Sequence, residues 1–197
     1  AFAVVRKRGI YMQNAVPTGG AMSAVLGLEA AAIEKVCEET QGMVSIANYN
    51  CPGQIVITGE KTAVDAAGLA LKEAGAKRII PLNVSGPFHS PMLAHAGEQL
   101  GEALREVEIA GEFLPYVANV TAGYVTEACE VKPLLERQIA SSVRWQQSIE
   151  RLIADGADTF VEIGPGKSLS GFMRKINREV SVFNIDKLED FEKYADR

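Results

Sequence analysis

Two histidines occur in the chain, and one is set where proton transfer would be useful. His89 lies in Val84-Ser85-Gly86-Pro87-Phe88-His89-Ser90-Pro91, at the end of a predicted strand and directly before a predicted helix. Ligands of open α/β sheets bind at strand ends. An imidazole titrates near neutral pH, so a general base is one reading of His89; a histidine that merely packs in the turn is the other. His95, between Ala94 and Ala96 inside the helix, reads as structural. A histidine base at a strand end points to acyl transfer, which needs a serine or cysteine presented on a sharp turn. No G-x-S-x-G occurs in the sequence: Gly166-Lys167-Ser168-Leu169-Ser170 lacks the second glycine, and Cys37, Cys51 and Cys129 sit in no such turn. Either the reaction is a different one, or the nucleophile lies on residues outside this sequence.

Other groups suggest binding. Arg8 precedes Gly9 in a predicted helix, where glycine costs roughly 1 kcal/mol against alanine and often marks a close approach. A guanidinium with room beside it can hold a carboxylate through two bonds, although a lone helical arginine is ordinarily a solvated charge. Asn48, Asn50 and Gln54 form a polar cluster around Cys51-Pro52-Gly53, where turn chemistry alone would also account for the asparagines. Gly164-Pro165-Gly166-Lys167-Ser168 imitates a phosphate loop, but a Walker A loop requires glycine where Val161 stands. A turn that seats a helix against the sheet is the better reading. Lys167, Arg174, Lys175 and Arg178 make a basic stretch that is either a solvated helix face or a surface for an acidic partner.

These groups are positioned by an alternation of strands and helices. The 197 residues are 47% hydrophobic and 23% charged, which is globular composition. Twenty Lys and Arg against 25 Asp and Glu give −5, which disfavours a general nucleic-acid binder. Three cysteines at unrelated spacings form no zinc pattern or disulfide framework, so the expectation is reduced thiols in a cytoplasmic protein with no bound metal. No apolar run approaches the roughly 18–20 residues that span a bilayer. The sequence opens without Met inside a predicted helix, and a fragment of a longer protein is expected.

That first helix runs from 1 to about 16 and is broken by Pro17. A strand over 19–27, a helix over 29–40, strands over 43–50 and 54–58, a helix from a Thr62-x-x-Asp65 capping box to about 75 and a strand over 78–84 follow. The order β-α-β-β-α-β is that of a ferredoxin-like unit. Ser90-Pro91 reads as N-cap and first residue of a helix to about 106. Beyond it come a strand over 116–120, helices over 132–140 and 145–155, a strand over 159–163, a helix over 167–177, a strand over 180–185 and a charged terminal helix. The fold expected is α/β with a mostly parallel sheet, divided into residues 1–17 with 85–197 and an inserted unit over 18–84.

Four motifs in register resemble bacterial malonyl-CoA:acyl-carrier-protein transacylases: Arg8-Gly9-x-x-Met12-Gln13, Asn48-x-Asn50-x-Pro52-Gly53-Gln54, Gly86-Pro87-Phe88-His89-Ser90 and Glu162-Ile163-Gly164-Pro165-Gly166. The likeness runs to about residue 185. It implies an α/β-hydrolase-like large subdomain with an inserted ferredoxin-like one. It also implies ping-pong transfer, in which a serine takes malonyl from malonyl-CoA and passes it to the phosphopantetheine thiol of acyl carrier protein in cytoplasmic fatty acid biosynthesis. By the same resemblance His89 is the base, Gln138 orients it through its backbone carbonyl, and Arg8 binds the malonyl carboxylate. Phe88 is the residue type associated with malonyl over branched units, and Asn48 and Asn50 line the cleft mouth. No cofactor is implied beyond the CoA thioester, and neither nucleic acid nor membrane is an expected partner.

The family's G-Q-G oxyanion segment and G-H-S-x-G elbow precede the arginine motif and are absent here. The expectation is therefore the C-terminal two-thirds of such an enzyme, inactive unless an N-terminal segment or chain completes it. The alternatives are a non-catalytic fragment, a carrier-protein or CoA binding module, or a polyketide-synthase acyltransferase domain.

Overall fold

The computed structural model describes residues 1–111 and 114–195. It opens with helix α1 (Phe2–Ala15) and then builds β1 (Gly20–Leu26), α2 (Ala30–Glu39), β2 (Val44–Cys51), β3 (Gln54–Glu60), α3 (Lys61–Glu73) and β4 (Arg78–Pro81). The four strands form one antiparallel sheet in the order β2-β3-β1-β4, the ferredoxin-like arrangement expected from the element order. Period-2 alternation assigns the two faces. Val25, Ile55 and Ile57 pack with Ile33, Val64 and Leu71 beneath α2 and α3, while Met22, Val56 and Ala47 face the other way, with Leu82 and Phe88 packed on them. Each large side chain fully buried here is worth roughly 1.5–3 kcal/mol.

Two details of this unit differ from expectation. The Thr62-x-x-Asp65 capping box is not formed, because β3 runs directly into α3 at Lys61, whose N–H donates to the Gly19 carbonyl at 2.7 Å. Asp65 instead accepts from the Lys61 ammonium at 2.6 Å. β4 stops at Pro81 rather than 84, and after one more bond from Leu82 N to the Met22 carbonyl the chain turns into the loop that bears His89.

The remaining elements are a single 3-10 turn (Pro91–Leu93), α4 (Ala94–Leu104), β5 (Tyr116–Ala118), β6 (Gly123–Val125), α5 (Ala128–Ile139), α6 (Trp145–Ala154), β7 (Thr159–Ile163), α7 (Ser168–Ile176), β8 (Ser181–Ile185) and α8 (Leu188–Ala195). Ser90 caps as expected, its hydroxyl accepting from Met92 N at 3.0 Å with Pro91 in the first position. Met12, Leu93, Ala96, Leu100, Leu104 and Ile139 form a second core that joins α1, α4 and α5.

The strand near 116–120 does not join a parallel layer. It closes an antiparallel hairpin with β6, so the parallel sheet among the described residues is the pair β7–β8. Parallel strands are normally covered on both faces, yet Val161 and Ile163 on β7 are 50% and 79% exposed. α5 begins at Ala128, four residues before the expected start, because Glu127 and Glu130 form a capping box.

Glu162 ties β7 to α7. Its carboxylate accepts from Leu169 N at 3.1 Å, Ser170 N at 2.9 Å and Ser170 Oγ at 2.5 Å, satisfying two of the orphan donors at the helix N-terminus. Asn184 of β8 closes the Gly164–Gly166 loop with a 2.8 Å bond to the Gly166 carbonyl.

Candidate active site

His89 emerges from the loop between β4 and the 3-10 turn with φ of 59°, a left-handed conformation uncommon for a residue with a Cβ. Its neighbours hold it there. Pro87 and Ser90 are fully buried on either side, and Phe88 packs at once on the Met12–Leu93 core and on the Met22–Val56 face of the sheet. Gly20 is required beneath the loop, since a Cβ there would lie 2.3 Å from Pro87 Cδ. Ser85 donates to the Gln13 side-chain oxygen at 2.7 Å, fastening the loop to α1 and so to the element that bears Arg8.

The His89 ring places Nδ1 3.1 Å from the backbone carbonyl of Gln138 at the end of α5. A carbonyl only accepts, so Nδ1 carries the proton and Nε2 keeps its lone pair. Burial pushes the His89 pKa down, the Gln138 carbonyl works in the opposite sense, the charge of Arg8 lowers it further, and the Ser141 carbonyl raises it. The net direction is downward, which leaves a neutral imidazole with a free Nε2 at neutral pH. Arg8, half-buried on α1, has its own pKa lowered by burial but stays a cation, as arginine does in proteins.

The expected site residues are thus partly gathered. His89, Gln138 and Arg8 share one neighbourhood, with Phe88 beside the histidine. Asn48 approaches it only through a bridge to Val143, whose segment follows Gln138. Asn50 sits at the turn end of β2, next to the Cys51–Gln54 pair where Gln54 accepts from Lys175 at 3.0 Å. Neither asparagine side chain hydrogen-bonds to His89 or Arg8 among the described residues. A Cβ on Gly9 would meet nothing within 4 Å, so no described segment makes the close approach that this glycine implied. His95 lies on the exposed side of α4 with Glu98 at 3.1 Å.

A cleft of about 290 Å³ opens beside His89, walled by Ser45, Val120, Arg137, Ser141 and Arg144. A larger one of about 600 Å³ between α3 and β4 contains none of the expected site residues. No group of His, Cys, Asp or Glu suited to a metal occurs among the described residues, and no described helix is long and apolar enough to cross a membrane. Sequence reasoning missed Ser141, whose contribution is a main-chain carbonyl, and Glu162, quoted within a motif but given no role. The spacing of Glu162 from the start of α7 was the available signal for the latter.

An imidazole held by a carbonyl, an arginine within electrostatic reach and a ferredoxin-like unit packed on the imidazole's loop agree with the arrangement that the sequence motifs led us to expect. Residues 1–185 match the acyl transferase domain family, and the chain belongs to it. It is 46% identical over 196 residues to the malonyl CoA-acyl carrier protein transacylase of Bacillus subtilis, covering 98% of this chain and 62% of that relative. The crystal structure of an acyl carrier protein S-malonyltransferase from Vibrio cholerae superposes with a TM-score of 0.94 at 39% identity, over 98% of this chain and 64% of that one. A malonyl-transacylase in complex with a type II PKS acyl-carrier protein gives a TM-score of 0.94 at 38% identity, over 99% of this chain and 64% of that one. The chain therefore spans a little under two thirds of the length of these relatives.

Proposed function

We propose that the protein to which this chain belongs is a malonyl-CoA:acyl-carrier-protein transacylase of fatty acid biosynthesis, acting in the cytoplasm without a cofactor. In this reading His89 Nε2 takes the proton of a serine hydroxyl as the serine oxygen attacks the malonyl thioester. The tetrahedral intermediate expels CoA as thiolate, and the imidazolium returns the proton to it. The phosphopantetheine thiol of the carrier protein then attacks the malonyl-serine, His89 takes the thiol proton, and the departing serine oxygen recovers it. The Gln138 carbonyl holds the ring in the required tautomer and stabilises the imidazolium, the part an aspartate plays in a Ser-His-Asp triad. Arg8 pairs with the malonyl carboxylate and so disfavours acetyl-CoA, which would leave a half-buried cation unpaired. Phe88 shapes the acyl pocket, and Asn48 and Asn50 flank its mouth. Residues 18–84 form the inserted ferredoxin-like unit on a large subdomain formed by 1–17 and 85–197.

The observation that carries this reading is the 3.1 Å contact between His89 Nδ1 and the Gln138 carbonyl, which keeps the Nε2 lone pair available to accept a proton. The nucleophile belongs to residues outside these 197. The test supplies an N-terminal segment containing G-H-S-x-G, fused or in trans, and measures malonyl transfer from CoA to carrier protein. Transfer that needs that serine and is lost in His89→Ala is expected; equal transfer by His89→Ala, or serine-independent transfer by the chain alone, overturns it.

A further inference from the structure

Four residues after Gln138, the chain changes partner. β2 is an edge strand of the ferredoxin-like sheet, and its outer side is taken by residues 142–143. Ser142 Oγ donates to the Ile46 carbonyl at 2.5 Å, Val143 N donates to the Ala47 carbonyl at 2.7 Å, and Tyr49 N donates to the Val143 carbonyl at 2.9 Å. The bonds form a one-residue parallel bridge opposite Asn48, where β2 shifts its register against β3. On its far side the segment is pinned by Arg144 N to the Asn119 carbonyl at 2.8 Å and by Ser148, whose N and Oγ both reach the Arg144 carbonyl. On its near side lie the two carbonyls that act on His89, those of Gln138 and Ser141, with the Gln138 amide closing on Ser141 O at 3.3 Å.

We propose that Ser142 is a positioning residue for His89. By locking residues 142–143 to β2, it fixes the height of the 138 and 141 carbonyls against the sheet that also seats Phe88, and so holds the imidazole in its Nδ1–H form. The ferredoxin-like unit reaches His89 from both sides, through Phe88 on the sheet face and through this strap on the sheet edge. A displacement of the unit would then alter which ring nitrogen is basic. The inference rests on the transacylase reading for its catalytic meaning, but its test needs no acyl substrate, so the two fail separately.

The test is nitrogen-detected NMR of the ¹⁵N-histidine-labelled chain, in which exposed His95 is the internal reference. The parent is expected to show His89 predominantly as Nδ1–H. In Ser142→Ala the Nε2–H share rises about 2- to 12-fold, the range spanned by one net hydrogen bond, and Ser142→Thr, which keeps the hydroxyl, restores the parent ratio. Ser148→Ala removes a comparable hydroxyl bond on the α6 side and leaves the ratio unchanged. An unchanged ratio in folded Ser142→Ala, an equal change in Ser148→Ala, or no rescue by threonine overturns the proposal. A second measurement needs no substitution. In native-state hydrogen exchange the opening that releases the Val143 and Tyr49 amides also releases the His89 Nδ1 proton, whereas an Nδ1 proton that exchanges independently of them refutes the coupling.

Discussion

Replacing Glu162 with alanine tests how the loop between β7 and α7 is held. The carboxylate accepts three hydrogen bonds, two from main-chain N–H groups at the start of α7 and one from Ser170 Oγ. Removing it uncaps the helix, a loss of about 0.5–2 kcal/mol, and withdraws a negative charge from the positive end of the helix dipole, about 0.3–1 kcal/mol. Ser170 is only 7% exposed, so its hydroxyl is left nearly dry without a partner, at a cost of about 1–3 kcal/mol. Because the loop is partly open to water these contributions overlap, and a total near 2–4 kcal/mol is expected. In a chain of this size each kcal/mol moves Tm by roughly 2–4 °C. Glu162→Ala should therefore melt about 4–16 °C below the parent, and Glu162→Gln, which keeps one acceptor oxygen, less than half as far.

The carboxyl pKa sits below its ordinary value: burial pushes it up, but the bonds from Ser170 and Leu169 outweigh that and pull it down. A depressed carboxylate stabilises the fold fully above its unfolded pKa, and the contribution disappears as pH falls through the folded value. The gap between parent and Glu162→Ala should accordingly narrow below about pH 4. Equal melting at pH 7, or a gap that persists undiminished in acid, would refute the capping account.

Other expectations follow from the site. In the completed enzyme proposed above Arg8→Ala should lower malonyl-CoA kcat/KM by about 30-fold or more, the effect of losing a charge-assisted pair worth about 2–5 kcal/mol, while acetyl-CoA turnover holds or rises; equal losses would remove the carboxylate role. The His89 pKa is lowered, chiefly by burial, so the unfolded chain binds that proton first. Stability should be unaffected above about pH 6.5 and fall below it until the folded pKa is passed, and Arg8→Gln should move the NMR titration midpoint of His89 upward; a downward move would contradict the electrostatic link. Gly20→Ala, whose Cβ would lie 2.3 Å from Pro87, should cost about 1–3 kcal/mol in thermal melts and disturb the His89 signals. Gly9→Ala, with nothing within 4 Å, should instead gain about 0.5–1 kcal/mol.

The ferredoxin-like unit was legible because its sequence repeats the physics of its surroundings. Val25, Ile55 and Ile57 alternate with residues for the opposite face and Pro52-Gly53 turns the hairpin, and just beyond the unit Ser90-Pro91 starts a helical turn. Features that depend on partners distant in sequence were not legible. The strap at 142–143 is a single bridge, too short for any periodicity. The Ser141 carbonyl acts through the main chain, which no side-chain pattern announces, and that of Gln138 was reached only through the family resemblance. β6 has three residues, and Tyr116–Ala118 could be recognised as a hairpin arm only once β6 was seen beside it. The start of α5 escaped because a glutamate, rather than the usual serine, threonine, aspartate or asparagine, occupies its N-cap. Thr62 and Asp65 had capping spacing but were overruled by a strand that continues into the helix.

The left-handed backbone at position 89 has a consequence for any effort to make this protein more robust. A side chain there carries a conformational penalty of roughly 1–2 kcal/mol that glycine would escape. Glycine at 89 would relieve that penalty but give up the Nδ1–H bond to the Gln138 carbonyl, worth about 0.5–1.5 kcal/mol, so the two effects nearly cancel. Heat resistance alone therefore places little pressure on that residue, and a screen that also scores the proposed malonyl transfer is what would keep the histidine.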